Sequence, residues 1–412
     1  MNATSFDIIV IGSGVAGLSV AMEFARRGKR ALVIERGPLA SGATSRAAGL
    51  IGQMRSTPDG IRLLMDSIRI IREVEAQTGM RVLEQTGSVR VAQTHDRVVE
   101  LQRDMDIARG AGLHVERVTA SELEKLIPCM RADDVLDACF CPSDCYLEAP
   151  ALALAYIAAG RQLDVTYIEH TRVESLRTSN GNAIGVRAAD VDYDAPIVIN
   201  AAGPWAHLVA DYAQQFLPTA GIAHYYFTTK PEANIAINAA SPSFRDRENR
   251  IYGRPCNGGI RVGIYEALPE HVDMAALSPN FQMSTVSADA SKSVIRSLLD
   301  AASLRFPSIT ASTPMEIRGG IMAFSPDGGP LLGELEGVSG FYHCAGFCGH
   351  GVSQSAAIGP VVADLIMNGT CEYDLGQLRA DRFSDWPSLH NRDAVVRSCL
   401  DVYANYYGKP II

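Results

Sequence analysis

The stretch from Asp7 to Glu35 constrains the fold more than any other part of the chain. A short apolar run, Asp7-Ile8-Ile9-Val10-Ile11, ends in Gly12-Ser13-Gly14-Val15-Ala16-Gly17, which opens a helical pattern through Leu18, Ala21, Phe24 and Ala25. A second apolar run, Ala31-Leu32-Val33-Ile34, stops at Glu35. Strand, glycine turn, helix, strand and an acid about twenty residues past the glycines make the complete dinucleotide fingerprint. Gly12 turns the chain tightly, Gly14 clears room for a pyrophosphate, and Gly17 lets the helix approach the strand. The amides at the helix start, those of Val15 and Ala16 among them, face phosphate. Glu35, with Arg36 beside it, accepts hydrogen bonds from a ribose diol. The segment predicts an adenine dinucleotide at this end of the chain.

A chain of 412 residues exceeds one compact core and suits two domains. Its 47% hydrophobic and 20% charged residues are those of a soluble globular protein. A net charge of −9 argues against nucleic acid or an anionic membrane surface as partner. Met1-Asn2-Ala3-Thr4-Ser5 carries no basic-then-apolar leader, and no run of about eighteen apolar residues could span a bilayer. Cytoplasm is therefore the expected location. Nine cysteines, an odd number, fit reduced thiols. The spacing of Cys129, Cys139, Cys141 and Cys145 matches no metal or iron–sulfur pattern, so no metal is expected.

Further along, residues 60–78 and 95–111 show helical apolar spacing, and 87–92 reads as a strand. Pro150 opens an alanine-rich helix to Gly160. Strands follow at 165–168, 185–188 and 196–200, the last running into Ala201-Ala202-Gly203-Pro204-Trp205. Residues 220–310 change character, with aromatic strands at 223–229 and 260–265 and a helix near 290–303. A final strand, Phe341 to Ala345, runs into Gly346-Phe347-Cys348-Gly349-His350-Gly351 and a helix from Val352 to Met367. Dinucleotide-type segments thus lie at both ends and in the middle. The expected fold is α/β: a discontinuous Rossmann-like dinucleotide-binding domain (1–80, 150–215 and 312–385) and a substrate domain (81–149 and 216–311) with a mixed, mostly antiparallel sheet, followed by an extension over 386–412.

Five motifs in order carry a family resemblance. They are Gly12–Gly17 with Glu35, Ser41 to Leu50, Asn200 to Trp205, Phe324-Ser325-Pro326-Asp327-Gly328-Gly329-Pro330-Leu331-Leu332-Gly333, and Gly346 to Gly351. Together they resemble the D-amino-acid-oxidase superfamily of flavin oxidoreductases, above all the flavin module of sarcosine and dimethylglycine dehydrogenases. The resemblance implies FAD, and the single fingerprint leaves no obvious place for a second dinucleotide. It implies oxidation of a C–N bond of a secondary or N-methylated amine or an amino acid, by hydride transfer to the flavin and hydrolysis of the imine. It also implies an electron acceptor: a quinone, an electron-transfer protein or oxygen.

Departures from the family pattern matter as much. Ser45-Arg46 stands where the dehydrogenases carry a flavin-linked His, and Gly320 where the sarcosine oxidases carry a flavin-linked Cys, so FAD is expected to be non-covalently bound. Arg261 replaces the oxidases' flavin-facing lysine and donates no proton, which favours a dehydrogenase over a peroxide-forming oxidase. The segment 391–410 resembles the joint to a folate domain, and the chain stops there, so no folate-coupled product is expected. That end could instead dock a partner subunit of a weakly catalytic flavin-bearing complex, or a second copy of the chain.

For the cofactor, the resemblance assigns Thr44 and Ser45 to the pyrophosphate and Arg46, Gly49 and Leu50 to the flavin ring. Val173 goes to the adenine, Ala202 and Gly203 to the middle segment, and Gly346, Gly349, His350, Gly351 and Val352 to the flavin's pyrimidine end. There a helix N-terminus stabilises negative charge. For the substrate it points to Tyr252 and Tyr265, with His224 on the neighbouring strand. If the substrate is an amino acid, Arg261, Arg254 or Arg318 must hold its carboxylate as a bidentate fork, the alternative being a substrate without an α-carboxylate. The family's own carboxylate anchors are missing, Met322 and Ser353 standing at their positions. No acid–base residue is obligatory.

Overall fold

The computed structural model describes residues 4–406, apart from 234, 279, 288–291, 314, 375, 377 and 390. The sequence expectations for 290–291 and for Tyr407 to Pro410 fall outside the described residues. Two large sheets dominate. The first is six-stranded, in the order Leu331–Glu334, Phe341–Ala345, Ile197–Asn200, Ile8–Ile11, Ala31–Ile34, Thr166–Ile168. All its pairings are parallel except at the Leu331–Glu334 edge. Its central strand Ile8–Ile11 is wholly buried: Ile8 and Val10 face a cluster of helices, while Ile9 and Ile11 face Val173, Leu176, Ala183, Val186 and Ala188 of a small three-stranded antiparallel sheet.

Helices Val15–Arg26, Pro58–Thr78, Ala149–Gln162 and Gly351–Asn368 pack on this sheet in one apolar cluster. Two of them cross very closely. A Cβ on Gly359 would stand 2.5 Å from Ser19 Oγ and 2.8 Å from the Ser19 carbonyl oxygen. Glycine there sets the distance between the Val15–Arg26 and Gly351–Asn368 helices, both of which start at the cavity described below.

The second sheet is nine-stranded and mostly antiparallel, with one parallel pair between Ser243–Asp246 and Ser88–Ala92. The mixed sheet expected for the substrate half is therefore present. Its long strands are Ala220–Thr229, Gly259–Ile264, Ile251–Cys256 and Met315–Phe324. Met315–Phe324 differs from the segment boundary at 312 read from sequence. It pairs along its whole length with Ala220–Thr229, so the chain returns to the first sheet only at Leu331. Its pattern of half-buried residues was indistinguishable in sequence from a strand of either sheet.

The C-terminal helix Arg392–Ala404, capped by Asn391 through the Ala394 amide, lies across the second sheet. Val395, Cys399 and Tyr403 bury one face against a cluster that includes Ile222, Tyr252, Tyr265 and Phe324.

Candidate active site

Between the two sheets runs one continuous cavity of about 320 Å³. At one end the turn after Ile8–Ile11 takes the shape its glycines predict. Gly12 has a φ of +104°, and a Cβ on Gly17 would lie 2.2 Å from the Gly12 carbonyl oxygen, so the helix packs where only glycine fits. Gly14 caps the helix with no side-chain bond, and in front of it only Thr44 Oγ1 comes within 4 Å of an added Cβ. Thr44 Oγ1 accepts from the Val15 amide at 3.1 Å. Glu35 is held at the wall: Oε2 accepts from the Ser13 amide at 2.9 Å and hydroxyl at 2.8 Å, and Oε1 from the Gly37 amide at 3.0 Å. Arg36 stacks over Trp205 at 4.7 Å. A helix N-terminus led by glycine, with Thr44 beside its first amide and a fixed carboxylate one strand away, fits the pyrophosphate and ribose of FAD.

Of the residues assigned to the cofactor by resemblance, Gly12, Gly14, Val15, Ala16, Glu35 and Arg36 line this cavity. So do Thr44, Arg46, Gly49, Leu50, Val173, Ala202 and Gly203. Gly346, Gly349, His350, Gly351 and Val352 complete the far wall. Gly17 does not reach it and serves packing, and the Ser45 hydroxyl turns away to the Ser41 and Gly42 carbonyls. Arg46 has its Nε buried without a partner. A Cβ on Gly320 would stand 2.8 Å from the Arg46 Cβ, so the arginine stem occupies the space a larger residue at 320 would need.

His350 caps the Gly351–Asn368 helix and is buried. Tyr406 Oη lies 2.6 Å from its Nε2. Burial, reinforced by the nearby guanidiniums of Arg55, Arg245 and Arg90, holds the imidazole well below its usual range, so it is neutral. Beside it an aromatic cluster forms the cavity wall: Tyr265 stacks on Tyr406 with centroids 4.0 Å apart, and His224 lies 5.1 Å from Tyr265. His224 is bonded on both nitrogens, Nδ1 to Tyr403 Oη and Nε2 to Tyr252 Oη, each at 2.6 Å. His224, Tyr252 and Tyr265 all line the cavity, as do Met322 and Ser353.

Arg254 and Arg261, expected at the substrate, lie behind the cavity wall, and neither lines it. Arg254 donates through Nε to the Ala48 carbonyl at 2.7 Å and through Nη2 to Glu148. Arg261 donates through Nη1 to the same carbonyl at 3.2 Å and to the other Glu148 oxygen at 3.3 Å. Desolvation would raise the Glu148 carboxyl, but the two guanidiniums outweigh it and hold it below its usual range. Both arginines thus brace the Ala48-Gly49 turn from behind. Arg318 is paired with Glu316 at 3.0 Å and lies equally apart from the cavity.

The cavity holds other arginines that the sequence did not single out: Arg172 beside Val173, and Arg55, Arg90, Arg245 and Arg247. Arg90 and Arg247 face Asp104, at 3.5 and 3.6 Å, and Arg247 also meets Glu100 at 2.7 Å. Arg55 donates through Nη1 to the Gly52 and Met54 carbonyls, while its Nε and Nη2 are buried without a partner. Arg245 makes no side-chain hydrogen bond or ion pair among the described residues and packs on Gly52, Nη1 standing 2.4 Å from where a Cβ would be. Burial and the adjacent Arg245 pull the Arg55 guanidinium down to about 9, which leaves it charged at neutral pH. No spacing rule links positions 55 and 245. The one available signal was a lone arginine ending the apolar stretch Leu50 to Met54.

The cysteines are free, and burial pushes Cys139 and Cys145 up to about 12 and Cys129 to about 11. Among the described residues no cluster of three or more His, Cys, Asp or Glu could hold a metal ion, and no helix is long and apolar enough to cross a membrane.

Comparison with known proteins agrees with this geometry. The dimethylglycine dehydrogenase of Rattus norvegicus mitochondria is 26% identical over 413 residues, covering 98% of this chain and 48% of that protein. The mitochondrial pyruvate dehydrogenase phosphatase regulatory subunit of Mus musculus is 25% identical over 381 residues, covering 92% of this chain and 43% of that protein. The chain therefore spans about half the length of these relatives. The crystal structure of L-proline dehydrogenase from P. horikoshii shares the fold, with a TM-score of 0.82 at 24% identity over 92% of this chain and 97% of that one. The FAD dependent oxidoreductase family matches residues 7–365. With its dinucleotide cradle, its second sheet and a cavity between them, the chain belongs to the family of FAD-dependent oxidoreductases.

Proposed function

We propose that the chain is a dehydrogenase that oxidises the C–N bond of a secondary or N-methylated amine bearing a carboxylate. One observation carries this reading: Arg55 and Arg245 meet at the cavity wall near His350 with no acidic partner of their own. Two adjacent guanidiniums without an anion repel each other, and a ligand carboxylate would supply the missing charge and accept from the idle Nε and Nη2 of Arg55.

FAD, held without a covalent bond by the residues around Gly12–Gly17, Glu35 and Gly349–Val352, supplies the two-electron acceptor. The chain's own side chains do the rest. Arg55 and Arg245 orient the substrate by its carboxylate, and the aromatic wall of Tyr252, Tyr265 and Tyr406 excludes water around the amine. Neutral His350 and the amides behind it favour negative charge at the wall they face. Arg261, committed to Glu148, brings no transferable proton to the site, which supports a dehydrogenase passing electrons to a carrier other than oxygen. The likeness to a regulatory subunit favours a second reading, a flavin-bearing subunit with little turnover.

Anaerobic bleaching of the bound flavin tests both. The panel holds sarcosine, dimethylglycine, cyclic and N-alkyl amino acids, and the same amines without a carboxylate. Carboxylate-bearing amines should bleach the wild type, and Arg55→Met should weaken their binding by roughly 30-fold or more while sparing amines that lack the group. Equal bleaching by both kinds of amine removes the role of the arginine pair. No bleaching by any amine supports the regulatory reading.

A further inference from the structure

The polar chain that starts at the aromatic wall does not stop there. Tyr403, on the C-terminal helix, bonds His224 on one side and donates its hydroxyl proton to Glu266 on the other. Glu266 follows the Gly259–Ile264 strand, in a loop whose next residues, Ala267 and Leu268, are exposed. Its side chain is 13% accessible, and its Oε1 is buried with no partner. The network therefore links the cavity to the protein surface through four side chains from four separate segments.

The direction of the hydrogen bonds follows from proton counting. Tyr403 has a single hydroxyl proton, and with Glu266 ionised that proton points at the carboxylate. The Tyr403 oxygen must then accept, so His224 carries its proton on Nδ1. The neutral ring leaves Nε2 as acceptor, and Tyr252 donates to it. Every donor points away from the cavity and toward Glu266.

We propose that Tyr252, His224, Tyr403 and Glu266 form a relay that takes a proton from the substrate ammonium and delivers it to Glu266, an inference that rests on the amine-oxidising reading. The substrate N–H bond breaks and its proton goes to the Tyr252 oxygen. The Tyr252 proton passes to His224 Nε2, the His224 Nδ1 proton to Tyr403, and the Tyr403 proton to Glu266 Oε2. No electrons are exchanged: the substrate becomes a neutral amine, able to lose hydride, and Glu266 becomes neutral.

The groups differ in what they can store. Desolvation is the largest influence on Glu266 and, helped by the nearby Glu270, raises it to about 7 against the opposing bond from Tyr403. His224, 4.0 Å away, is the other titratable group that faces it. Burial lowers His224 to about 3 and raises Tyr403 far above its usual range, so these two pass a proton without keeping it. Only Glu266 holds it, at the partly accessible end of the four-residue chain.

The test is the pH dependence of flavin bleaching by a secondary amine in the holoenzyme, for wild type, Glu266→Gln, Glu266→Asp and Tyr403→Phe. Wild type should show a step near about pH 7, set by Glu266. Glu266→Gln and Tyr403→Phe should lose that step, bleach about 100-fold more slowly at neutrality, and approach wild type only as the amine deprotonates by itself. Glu266→Asp should restore a step. A non-oxidisable amine bound to the oxidised enzyme gives a second readout: infrared difference spectra should show a carboxylic-acid band on binding that Glu266→Gln lacks. Profiles that superimpose, or a uniform slowing with the step retained, overturn the relay while leaving the amine reading intact. A wild type that no amine bleaches overturns that reading and the relay with it.

Discussion

Arg254 and Arg261 illustrate how a side chain's role depends on a partner far away in sequence. Both sit on aromatic strands and read as carboxylate forks, yet Glu148, more than a hundred residues earlier, binds both. Nothing local to residues 254 or 261 announces that partner. Glu148→Gln leaves two buried guanidiniums short of a counter-charge. A thermal or denaturant unfolding curve should show a loss of about 1–3 kcal/mol, below the figure for fully buried pairs because Glu148 is half exposed. Since the Glu148 carboxyl is held low in the folded state, its contribution is complete above the unfolded carboxyl's pKa of about 4.3 and fades as pH falls below it. The gap between wild type and variant should close on acidification.

Glu266 has the opposite sign. Its carboxyl is raised to about 7 when folded, so the native state binds a proton that the unfolded chain has released, and stability falls as pH rises from about 4.3 to about 7. Glu266→Gln should remove that decline. Melting curves at a series of pH values would show it, with the variant gaining on wild type toward alkaline pH.

At the scale of elements, the cofactor half was readable because a phosphate cradle is local. Residues 12–17 form one turn, and glycine is required there by contacts within that turn and by Ala201. The wall we propose for the substrate is assembled from Arg55, His224, Arg245, Tyr252, Tyr265 and Tyr406, six cavity-lining positions on separate segments whose residue types also suit ordinary packing. The C-terminal helix was read as an extension beyond the site, because an amphipathic helix does not disclose which surface its buried face covers. The Val15–Arg26 and Gly351–Asn368 helices carry the phosphate and His350 ends of the cavity, and their crossing at Ser19 and Gly359 sets how far apart those ends lie. Gly359→Val, which drives a side chain into the Ser19 backbone, should cost about 1–3 kcal/mol and lower the flavin-to-protein absorbance ratio of the purified enzyme. Full flavin content would mean the crossing does not control the site.

For the whole molecule, two sheets with a cofactor cavity between them make ligand and fold interdependent. Stripping FAD should lower the melting temperature, and refilling to about a hundred times the dissociation constant should return about 2.7 kcal/mol. Acid precipitation should release all the flavin into the supernatant, in keeping with Gly320 and Ser45-Arg46 at the two positions where relatives tether it. Flavin that stays with the pellet would contradict that.

Tyr406 walls the cavity and Tyr403 stands buried behind it, both supplied by the C-terminal segment. Once the C-terminal helix docks, the Tyr406–His350 contact closes over the same space. Opening that side of the cavity therefore waits on the undocking of the helix, a local opening governed by its buried face.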